Sequence, residues 1–375
     1  MSKKKDKGKS SNDYSSEYFK SHKEDHYNYE KAAEEYLVSS GSMYMDHVLG
    51  GGLGAGLHRF TGANEGGKTN AALHVMFNMF KSVKNSKGLF IKAEGRLSNE
   101  IKERSGLTFV YNPEEWVAGT CLVFECNVFD TVIDYLRGLL ANNSEDERFC
   151  IIIDSMDGMI SKDDLHKSTH EARKVAAGAL ITSDFLKRVS LGMSKFGHMC
   201  IMISQIRASI KASQYVKNDP NNQTNSSGGN AILHYPDWIL EFKKRKQSDL
   251  FLQDSGSSLS ITNKPIGHIA TVQILKSTNE TTGNIVQYPI KYGRTKGRSI
   301  WVEKEIIDML LMWSYLQKRT SWITVDSALL EHCKASKLEM PEKFQGTNKI
   351  LESLEENEQI KEILKKFVQK EIIDQ

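Results

Sequence analysis

Eight consecutive residues of the chain have the types and spacing needed to hold a nucleoside triphosphate. They fit the phosphate-binding pattern G-x-x-x-x-G-K-S/T without a mismatch and are Gly62, Ala63, Asn64, Glu65, Gly66, Gly67, Lys68 and Thr69. Glycines let backbone N–H groups turn toward phosphate oxygens without a clash from a Cβ atom. In this pattern the lysine reaches the β- and γ-phosphates, and the Thr69 hydroxyl is expected to bind Mg²⁺.

The segments on either side of this loop have the order that such a site requires. Residues 56–61 are predicted to form a short strand before it, and residues 70–81 an apolar helix after it that begins at Asn70. The helix N-terminus, with the positive end of its dipole, would then face the phosphates. The alternative is a chance match in a glycine-rich loop, which would leave both flanking elements unexplained.

A carboxylate follows the apolar run at residues 149–153, which predicts a strand buried on both faces. This carboxylate is Asp154. At the C-terminal edge of a parallel sheet, beside the phosphate loop, it can hold Mg²⁺ directly or through water. Many strands end in an aspartate, so the position of Asp154 after the phosphate loop is what favours a metal role shared with Thr69.

Two further polar residues, Glu94 and Gln205, also end predicted strands. A carboxylate at position 94 could orient and deprotonate the water that attacks the γ-phosphate, or it could be a solvated acid. The amide of Gln205 could sense the γ-phosphate and transmit its presence to the loop that follows, as order–disorder switches do. The local sequence leaves the functional and the purely structural role of Gln205 equally open.

Residues 206–230 are polar, and a long structureless loop inside a compact domain is usually functional. Basic side chains combined with a stacking platform suit single-stranded nucleic acid. The alternative is an ordinary surface loop, but the bare backbone N–H groups of residues 228–230 could hold a phosphate. The side chains that carry this prediction are Arg207, Lys211, Lys217 and Tyr215.

Alternating strands and helices would position these residues. The predicted strands are 88–94, 120–124, 149–154 and 198–205, and the predicted helices are 99–106, 128–140 and 172–196. This alternation predicts an α/β fold with a mostly parallel, doubly wound sheet. An antiparallel extension is predicted from hairpins formed by residues 237–243, 269–276 and 285–290, with a surface excursion at 247–266.

The two ends of the chain differ from this core. Residues 1–24 are polar and lysine-rich and are predicted to be disordered, followed by a short helix at 25–37. From about residue 303 the pattern is helical, with predicted helices at 306–315, 325–335, 347–354 and 360–373. We therefore divide the chain into a basic tail with an N-terminal oligomerisation helix (1–36), an α/β core (37–300) and a small, mainly helical domain (301–375).

Composition sets limits on the class of protein. With 39% apolar and 26% charged residues among 375, the chain is predicted to be globular. It contains no apolar run of the roughly 18 residues that span a membrane. The net charge of +3 alone indicates no nucleic-acid partner, so local basic loops must carry that argument. The five cysteines show no CxxC spacing, which favours reduced core residues of an intracellular protein.

Taken together, these motifs resemble the RecA/UvsX family of DNA strand-exchange ATPases, closely over residues 37–300 and more loosely to residue 373. The most specific resemblance lies in two segments on either side of the polar loop, namely Ile203-Ser204-Gln205-Ile206-Arg207 and Ser226-Ser227-Gly228-Gly229-Asn230-Ala231. Three others match in family order, namely residues 38–49 before the phosphate loop, Lys92-Ala93-Glu94 and Ile153-Asp154-Ser155.

The resemblance implies ATP and Mg²⁺ as cofactors. It implies that Glu94 is the catalytic base and Gln205 the γ-phosphate sensor, acting with Lys68. Residues 161–175 fall on the family's first DNA-binding loop. The positions that fall on DNA contacts are Ser183, Lys187, Arg207, Ile210, Ser227, Gly228, Gly229 and Asn230, beside Lys211 and Tyr215 of the polar loop.

The chain also departs from the family pattern. Of the paired lysines that reach the ATP of a neighbouring subunit, Lys276 is kept, but the second position holds Thr278. The aromatic residue near the adenine is replaced by Ile101, and the acidic residue two positions before Glu94 is replaced by Lys92. The change to Thr278 bears on the rate or cooperativity of hydrolysis, and Ile101 would remove base stacking near the adenine.

The function that the resemblance implies is an ATP-dependent DNA recombinase of recombination and repair. It would form a helical filament on single-stranded DNA and pair it with homologous duplex DNA. Single-strand-binding and mediator proteins are further expected partners, and the expected location is the cytoplasm, that of the host if the source is a phage. Two alternatives stay open, namely an accessory or mediator protein with weak ATPase activity, and a hexameric helicase of the same core fold.

Overall fold

The computed structural model describes residues 10–22, 33–95, 97–144, 146–165, 176–205, 207–208, 224–225, 231–254 and 256–373. Its strands are β1 (Gly56–Gly62), β2 (Ser86–Lys92), β3 (Thr108–Val110), β4 (Thr120–Glu125), β5 (Arg148–Asp154), β6 (Met199–Ile203), β7 (Arg207–Ala208), β8 (Thr224–Asn225), β9 (Trp238–Phe242), β10 (Leu250–Leu252), β11 (Pro265–Lys276), β12 (Ile285–Lys291), β13 (Leu316–Arg319), β14 (Trp322–Val325) and β15 (Lys343–Gln345).

The α-helices precede, separate and follow these strands along the chain. They are α1 (Ser11–Ser21), α2 (Met43–Leu49), α3 (Lys68–Ser82), α4 (Asn99–Ser105), α5 (Phe129–Ala141), α6 (Lys162–Leu165), α7 (Ala176–Lys195), α8 (Ala231–His234), α9 (Val302–Met312), α10 (Ser327–Ala335), α11 (Thr347–Glu356) and α12 (Glu358–Val368). Within the described ranges, none combines the length and the apolar character that a membrane crossing needs.

A ten-stranded sheet of the described residues confirms the predicted α/β class. Its parallel part runs in the order β3-β4-β2-β5-β6-β1-β9. Strand β11 then pairs antiparallel with β9, and β10 and β12 pair antiparallel with β11. Adjacent C-terminal ends of β1, β6, β5 and β2 therefore lie along one edge of the sheet.

The predicted antiparallel extension is confirmed by the pairing of β11 with β12 and with β9, and two details of the later strands are corrected. The segment at 237–243 was expected in an antiparallel hairpin, but β9 pairs parallel with β1 on one side and antiparallel with β11 on the other. The surface excursion at 247–266 contributes strand β10 to the sheet. The strands that pair with each other depend on the whole topology. The local sequence of residues 237–243 does not indicate which strands lie beside them.

Alternate residues of the central strands are buried on opposite faces of the sheet. In β5, Cys150 and Ile152 belong to one hydrophobic cluster and Ile151 and Ile153 to the other. Helix α3 packs on the first face, and α5 and α7 on the second. This alternation explains why the strand is an uninterrupted apolar run, since both of its faces are covered by helices.

The N-terminal part differs from the prediction. Part of the tail expected to be disordered forms helix α1, which begins at a capping box between Ser10 and Asp13 and has no buried residue. Residues 33–37 are not helical, although a helix was expected over 25–37, and residues 23–32 lie outside the described residues. Short polar segments with a capping box can form a helix without a core, which composition alone does not reveal.

The C-terminal part contains the four expected helices and a third hydrophobic cluster of its own. It also contains a three-stranded antiparallel sheet, β13-β14-β15, that the sequence analysis did not predict. In β13 only Leu316 is buried, so the strand lacks a clear alternation of apolar and polar residues. Met43 of α2 belongs to the same cluster, so this part packs on the segment that precedes the phosphate loop.

A buried carboxyl lies where α9 meets α2. The Ser42 hydroxyl donates to Oε1 of Glu305 at 2.5 Å, and the Met43 N–H donates to Oε2 at 3.0 Å. Burial raises the pKa of Glu305 to about 8, although these hydrogen bonds oppose the shift. Burial also raises the pKa of the neighbouring Asp46, to about 6. Glu305 is thus neutral at pH 7 in the folded protein.

This pKa shift makes stability depend on pH. Because the folded state binds the Glu305 proton more tightly than the unfolded chain, its contribution is complete below pH 4.5 and is lost as pH rises through about 8. We expect wild type to lose on the order of 2 kcal/mol more unfolding free energy between pH 6 and 9 than Glu305→Gln, whose amide mimics the neutral acid. Urea titrations at both pH values measure this, and parallel losses in the two proteins would contradict it.

Candidate functional site

The loop between β1 and α3 depends on glycine at two positions with positive φ. Gly62 has φ of +136°, and a Cβ there would lie 2.1 Å from the carbonyl oxygen of Phe242 on β9. Gly67, the residue just before α3, has φ of +95°. Residues other than glycine would be strained at both positions. Because both positions are glycine, the loop can curl tightly around the start of the helix.

The ammonium of Lys68 lies inside this curl. Its Nζ atom donates to the carbonyl oxygens of Gly62 at 3.0 Å and Ala63 at 2.7 Å, and the residue is only 8% exposed. Burial lowers the pKa of Lys68, while the nearby carboxylates of Asp154, Asp157 and Glu94 oppose that shift. The loop thus places a cation where phosphate oxygens would arrive, and two backbone carbonyl groups accept its hydrogen bonds.

Thr69 and Asp154 meet beside it. The Thr69 hydroxyl donates to Oδ2 of Asp154 at 2.8 Å. Burial raises the pKa of Asp154, the hydrogen bond from Thr69 opposes the shift, and the charge of Glu94 adds to it. A hydroxyl and a carboxylate oxygen at this distance fit Mg²⁺, which commonly takes one or two protein oxygens and completes its shell with phosphate and water.

Glu94 joins two other strand ends. Its Oε1 atom accepts from the Ser155 hydroxyl at 2.6 Å and from the Gln205 side-chain amide at 3.0 Å. The backbone N–H of Ala93 donates to the carbonyl of Asp154 at 2.8 Å, which fixes the start of the Glu94 segment on β5. The order β6-β5-β2 places these three chain segments side by side, so the carboxylate, its two donors and the phosphate loop share one sheet edge.

Gln205 is also held through its backbone, because its N–H donates to Oδ2 of Asp157 at 2.6 Å. The segment that follows was expected to be structureless over 206–230. Residues 207–208 and 224–225 instead form a short antiparallel ladder between β7 and β8, so that prediction is corrected for these four residues. Gln205 therefore lies two positions before β7, the first of these two paired strands.

Of the candidate DNA-binding residues, three lie in described segments and the others lie outside them. Ser183 and Lys187 lie four residues apart on α7, where Ser183 is half-buried and Lys187 is exposed. Arg207 is the first residue of β7. Of the first candidate loop, α6 covers Lys162–Leu165. Lying outside the described residues are 166–175 and the candidates Ile210, Lys211, Tyr215, Ser227, Gly228, Gly229 and Asn230.

The structure does not bring Lys276 to the phosphate loop of its own chain. Its Nζ atom donates to the carbonyl oxygens of His234 at 2.5 Å and Pro236 at 2.6 Å, near the start of β9. The phosphate loop instead follows the end of β1. Ile101 is half-buried and packs against the first hydrophobic cluster, and Lys92 pairs with Glu125 at 2.7 Å.

Sequence reasoning missed a buried cation under this site. Arg59 of β1 is 3% exposed, and its Nε atom donates to the Ser204 hydroxyl at 2.9 Å. Burial lowers the pKa of Arg59 to about 10, and Asp157 opposes that shift. An arginine inside a short strand was the only available signal. Arg59 therefore supports the residue that immediately precedes Gln205.

A cavity of about 550 Å³ opens beside the start of α3. One side is formed by the phosphate loop and α3, including Glu65, Asn70 and His74, and the opposite side by the end of β12 and Tyr292. Arg245 donates to the phenol oxygen of Tyr292 at 2.8 Å. The cavity has polar and aromatic walls next to the phosphate loop, which suits the nucleoside part of a nucleotide.

Comparison with known proteins points to one family. The RecA N-terminal domain family matches residues 26–293. Protein RecA from Cytophaga hutchinsonii is 22% identical over 296 residues, which cover 78% of this chain and 74% of the relative. Protein RecA from Rickettsia bellii is 23% identical over 333 residues, covering 88% and 83%. Protein RecA from Bacillus velezensis is 24% identical over 295 residues, covering 78% and 75%. Because the family match extends over well more than half of its residues, the chain belongs to the RecA family.

Proposed function

We propose that this protein is an ATP-dependent DNA recombinase. It forms a filament on single-stranded DNA and catalyses homologous pairing and strand exchange in recombination and repair. The observation that carries the proposal is the position of Gln205, whose amide bonds Glu94 while its backbone leads directly into the β7–β8 ladder. Gln205 thereby bonds the candidate hydrolytic carboxylate and lies two positions before the first strand of the candidate DNA-binding loop.

The phosphate loop and its neighbours have separate roles in this proposal. Backbone N–H groups of residues 62–70 and the Lys68 ammonium bind the phosphates. Thr69 and Asp154 would hold Mg²⁺, which would neutralise negative charge on the phosphate oxygens. Glu94 orients and deprotonates the attacking water. The Ser155 hydroxyl keeps that carboxylate aimed, because it bonds the same oxygen as Gln205.

Coupling between nucleotide and DNA follows from the shared contact. The Gln205 side-chain amide donates to Oε1 of Glu94. A γ-phosphate near the ammonium of Lys68 would offer the Gln205 amide a more strongly charged acceptor than Glu94. If the amide left Glu94 for the phosphate, the start of the 206–230 loop would move with Gln205. DNA contacts from Ser183, Lys187, Arg207 and the loop would be mainly to backbone, so sequence would be read by pairing between DNA strands.

The partners in this proposal are single-stranded DNA, homologous duplex DNA and further copies of this chain. In the filament Lys276 would contribute to the ATP site of a neighbouring subunit, since it does not reach its own. Single-strand-binding and mediator proteins would assist loading. Binding should weaken steeply with salt, because phosphate contacts release counterions.

The test is joint-molecule formation between single-stranded DNA and duplex DNA in the presence of ATP. We expect joint molecules with homologous duplex and none with heterologous duplex or without ATP. Electron microscopy with a slowly hydrolysed ATP analogue should show helical filaments on the single strand. Joint molecules that form equally without ATP, or rings in place of filaments, would overturn the proposal, and rings with strand unwinding would indicate a helicase.

A second candidate is an accessory or mediator protein with weak ATPase activity. It is favoured by Lys276, which is bonded within its own chain, and by Thr278, which replaces the second of the paired lysines. This function predicts almost no stimulation of ATP turnover by DNA. A strong stimulation would therefore decide for the recombinase.

A further inference from the structure

One wall of the cavity is fastened to the C-terminal part of the chain. Lys291 and Tyr292, at the end of β12 and just after it, face the cavity. The Nζ atom of Lys291 forms an ion pair with Oε1 of Glu355 on α11. The two residues are 64 positions apart, and Glu355 lies outside the residues matched by the RecA N-terminal domain.

One carboxylate oxygen of Glu355 accepts hydrogen bonds from several donors of this wall. Besides Lys291, Oε1 accepts from the indole N–H of Trp301 at 2.7 Å and from Arg294 Nη2 at 3.3 Å. Burial opposes ionisation of Glu355, but hydrogen bonds from Lys291 and Trp301 outweigh it, so its pKa is lowered. A carboxylate with three charged or polar donors on one oxygen fixes their relative positions.

A second carboxylate fixes the far end of the same segment. Arg294 Nη1 pairs with Oε2 of Glu303 at 2.7 Å, and Glu303 is 4% exposed. Lys361 of α12 approaches the other oxygen of Glu303 at 3.6 Å. Tyr292 and Gly293 therefore lie between two residues, Lys291 and Arg294, that are both bonded to the C-terminal part.

The middle of the segment is positioned on the cavity side. The Tyr292 phenol accepts from Arg245, and its ring centroid lies 5.4 Å from that of His268, which also lines the cavity. The Tyr292 N–H donates to the carbonyl of Ile266 at 2.8 Å. The tyrosine ring is thus held against the cavity, provided that the chain on both sides of it stays in place.

We propose that Glu355 is a positioning residue for nucleotide binding, which holds segment 291–294 so that Tyr292 contacts the nucleoside part of ATP. The inference rests on the proposed ATP site. It means that nucleotide affinity is set in part by α11, an element that touches neither the phosphate loop nor the cavity. Any ligand or neighbour that moves α11 would change affinity for the nucleoside while leaving the phosphate contacts unchanged.

The experiment measures the affinity of full-length Glu355→Gln for two probes, ATP and inorganic tripolyphosphate, by calorimetry. We expect ATP affinity to fall roughly 3- to 30-fold, the range for changes that act through an intervening element. Tripolyphosphate affinity should stay within twofold of wild type, because the phosphate loop is not altered. Equal loss for both probes, or no loss for ATP, would overturn the proposal.

The matched control is Glu147→Gln. The Lys87–Glu147 pair has side-chain exposures of 20% and 22%, against 24% and 26% for Lys291–Glu355. In both pairs the lysine also lies over a tryptophan ring, at 5.5 Å for Trp116 and 4.7 Å for Trp301. Glu147 precedes β5, at the sheet edge opposite the phosphate loop, so its variant should bind both probes like wild type.

A double-mutant cycle with Tyr292→Ala separates positioning from general loss of structure. If Glu355 acts through Tyr292, the change Glu355→Gln should cost little further ATP affinity once the tyrosine is gone. Additive losses would show that Glu355 acts by another route and would reject the inference. Failure of wild type to bind ATP at all would instead reject the proposed function, so the two failures are distinguishable.

Discussion

Replacing Glu94 with glutamine is expected to lower DNA-stimulated ATP turnover by about 10²- to 10⁴-fold, the usual contribution of a general base. The amide has nearly the same shape, and its oxygen can still accept from Ser155 and Gln205 as Oε1 does now. It cannot take a proton from water. ATP binding should therefore survive while hydrolysis fails, and filaments formed with ATP should persist longer than those of wild type.

The measurement is steady-state phosphate release with single-stranded DNA, beside ATP affinity measured by calorimetry. The matched control is Glu125→Gln, which changes another carboxylate at the end of a neighbouring strand. Glu125 pairs with Lys92 at 2.7 Å and makes no contact with Gln205 in the described structure. Turnover of the Glu94 variant within threefold of wild type would show that another group activates the water.

Replacing Lys68 with alanine has the second large expected effect, on nucleotide binding itself. Removing one partner of a buried charge pair typically costs about 2–5 kcal/mol, so ATP affinity should fall by roughly 30-fold or more. Turnover, filament formation and joint-molecule formation should fall with it. Within the described residues, the hydrogen bonds of Lys68 go to two neutral carbonyl oxygens, so the unfolding free energy measured without ATP should change little.

Thermal unfolding with and without ATP separates these effects. At a concentration about 100 times the dissociation constant, ATP should stabilise wild type by about 2.7 kcal/mol and Lys68→Ala far less. Lys81→Ala is the control, because Lys81 lies in the last turn of the same helix and rests over the Phe77 ring. Undiminished ATP stabilisation of the Lys68 variant would contradict the assigned phosphate site.

The sequence was sufficient to find the residues of the candidate site one at a time. Glu94, Asp154 and Gln205 each follow an apolar run, and the C-terminal ends of parallel strands share one edge. What the sequence could not supply was the order β1-β6-β5-β2, which makes Glu94 and Gln205 neighbours. That order depends on pairing between strands that are distant in the sequence, such as β1 with β6, for which no local pattern exists.

Residues that support the site were harder to recognise. Arg59 is buried in β1, where Ser204, the residue just after the adjacent strand β6, accepts from its guanidinium. A charged residue in a short apolar segment normally suggests exposure, so local reasoning misplaces it. The link between Lys291 and Glu355 has the same character, since two charges 64 positions apart become partners only after the C-terminal part has packed.

The packing of Met43 in the C-terminal hydrophobic cluster also bears on how the α/β core could be studied in isolation. Glu305 accepts from Ser42 and Met43, and Met43 belongs to the C-terminal hydrophobic cluster. A polypeptide shortened at residue 300 would expose that methionine to solvent and leave the Ser42 hydroxyl without its acceptor. Shortening the chain at residue 300 therefore leaves an exposed apolar side chain. Crystallisation trials or inhibitor screens on such a fragment would call for a polar replacement at position 43.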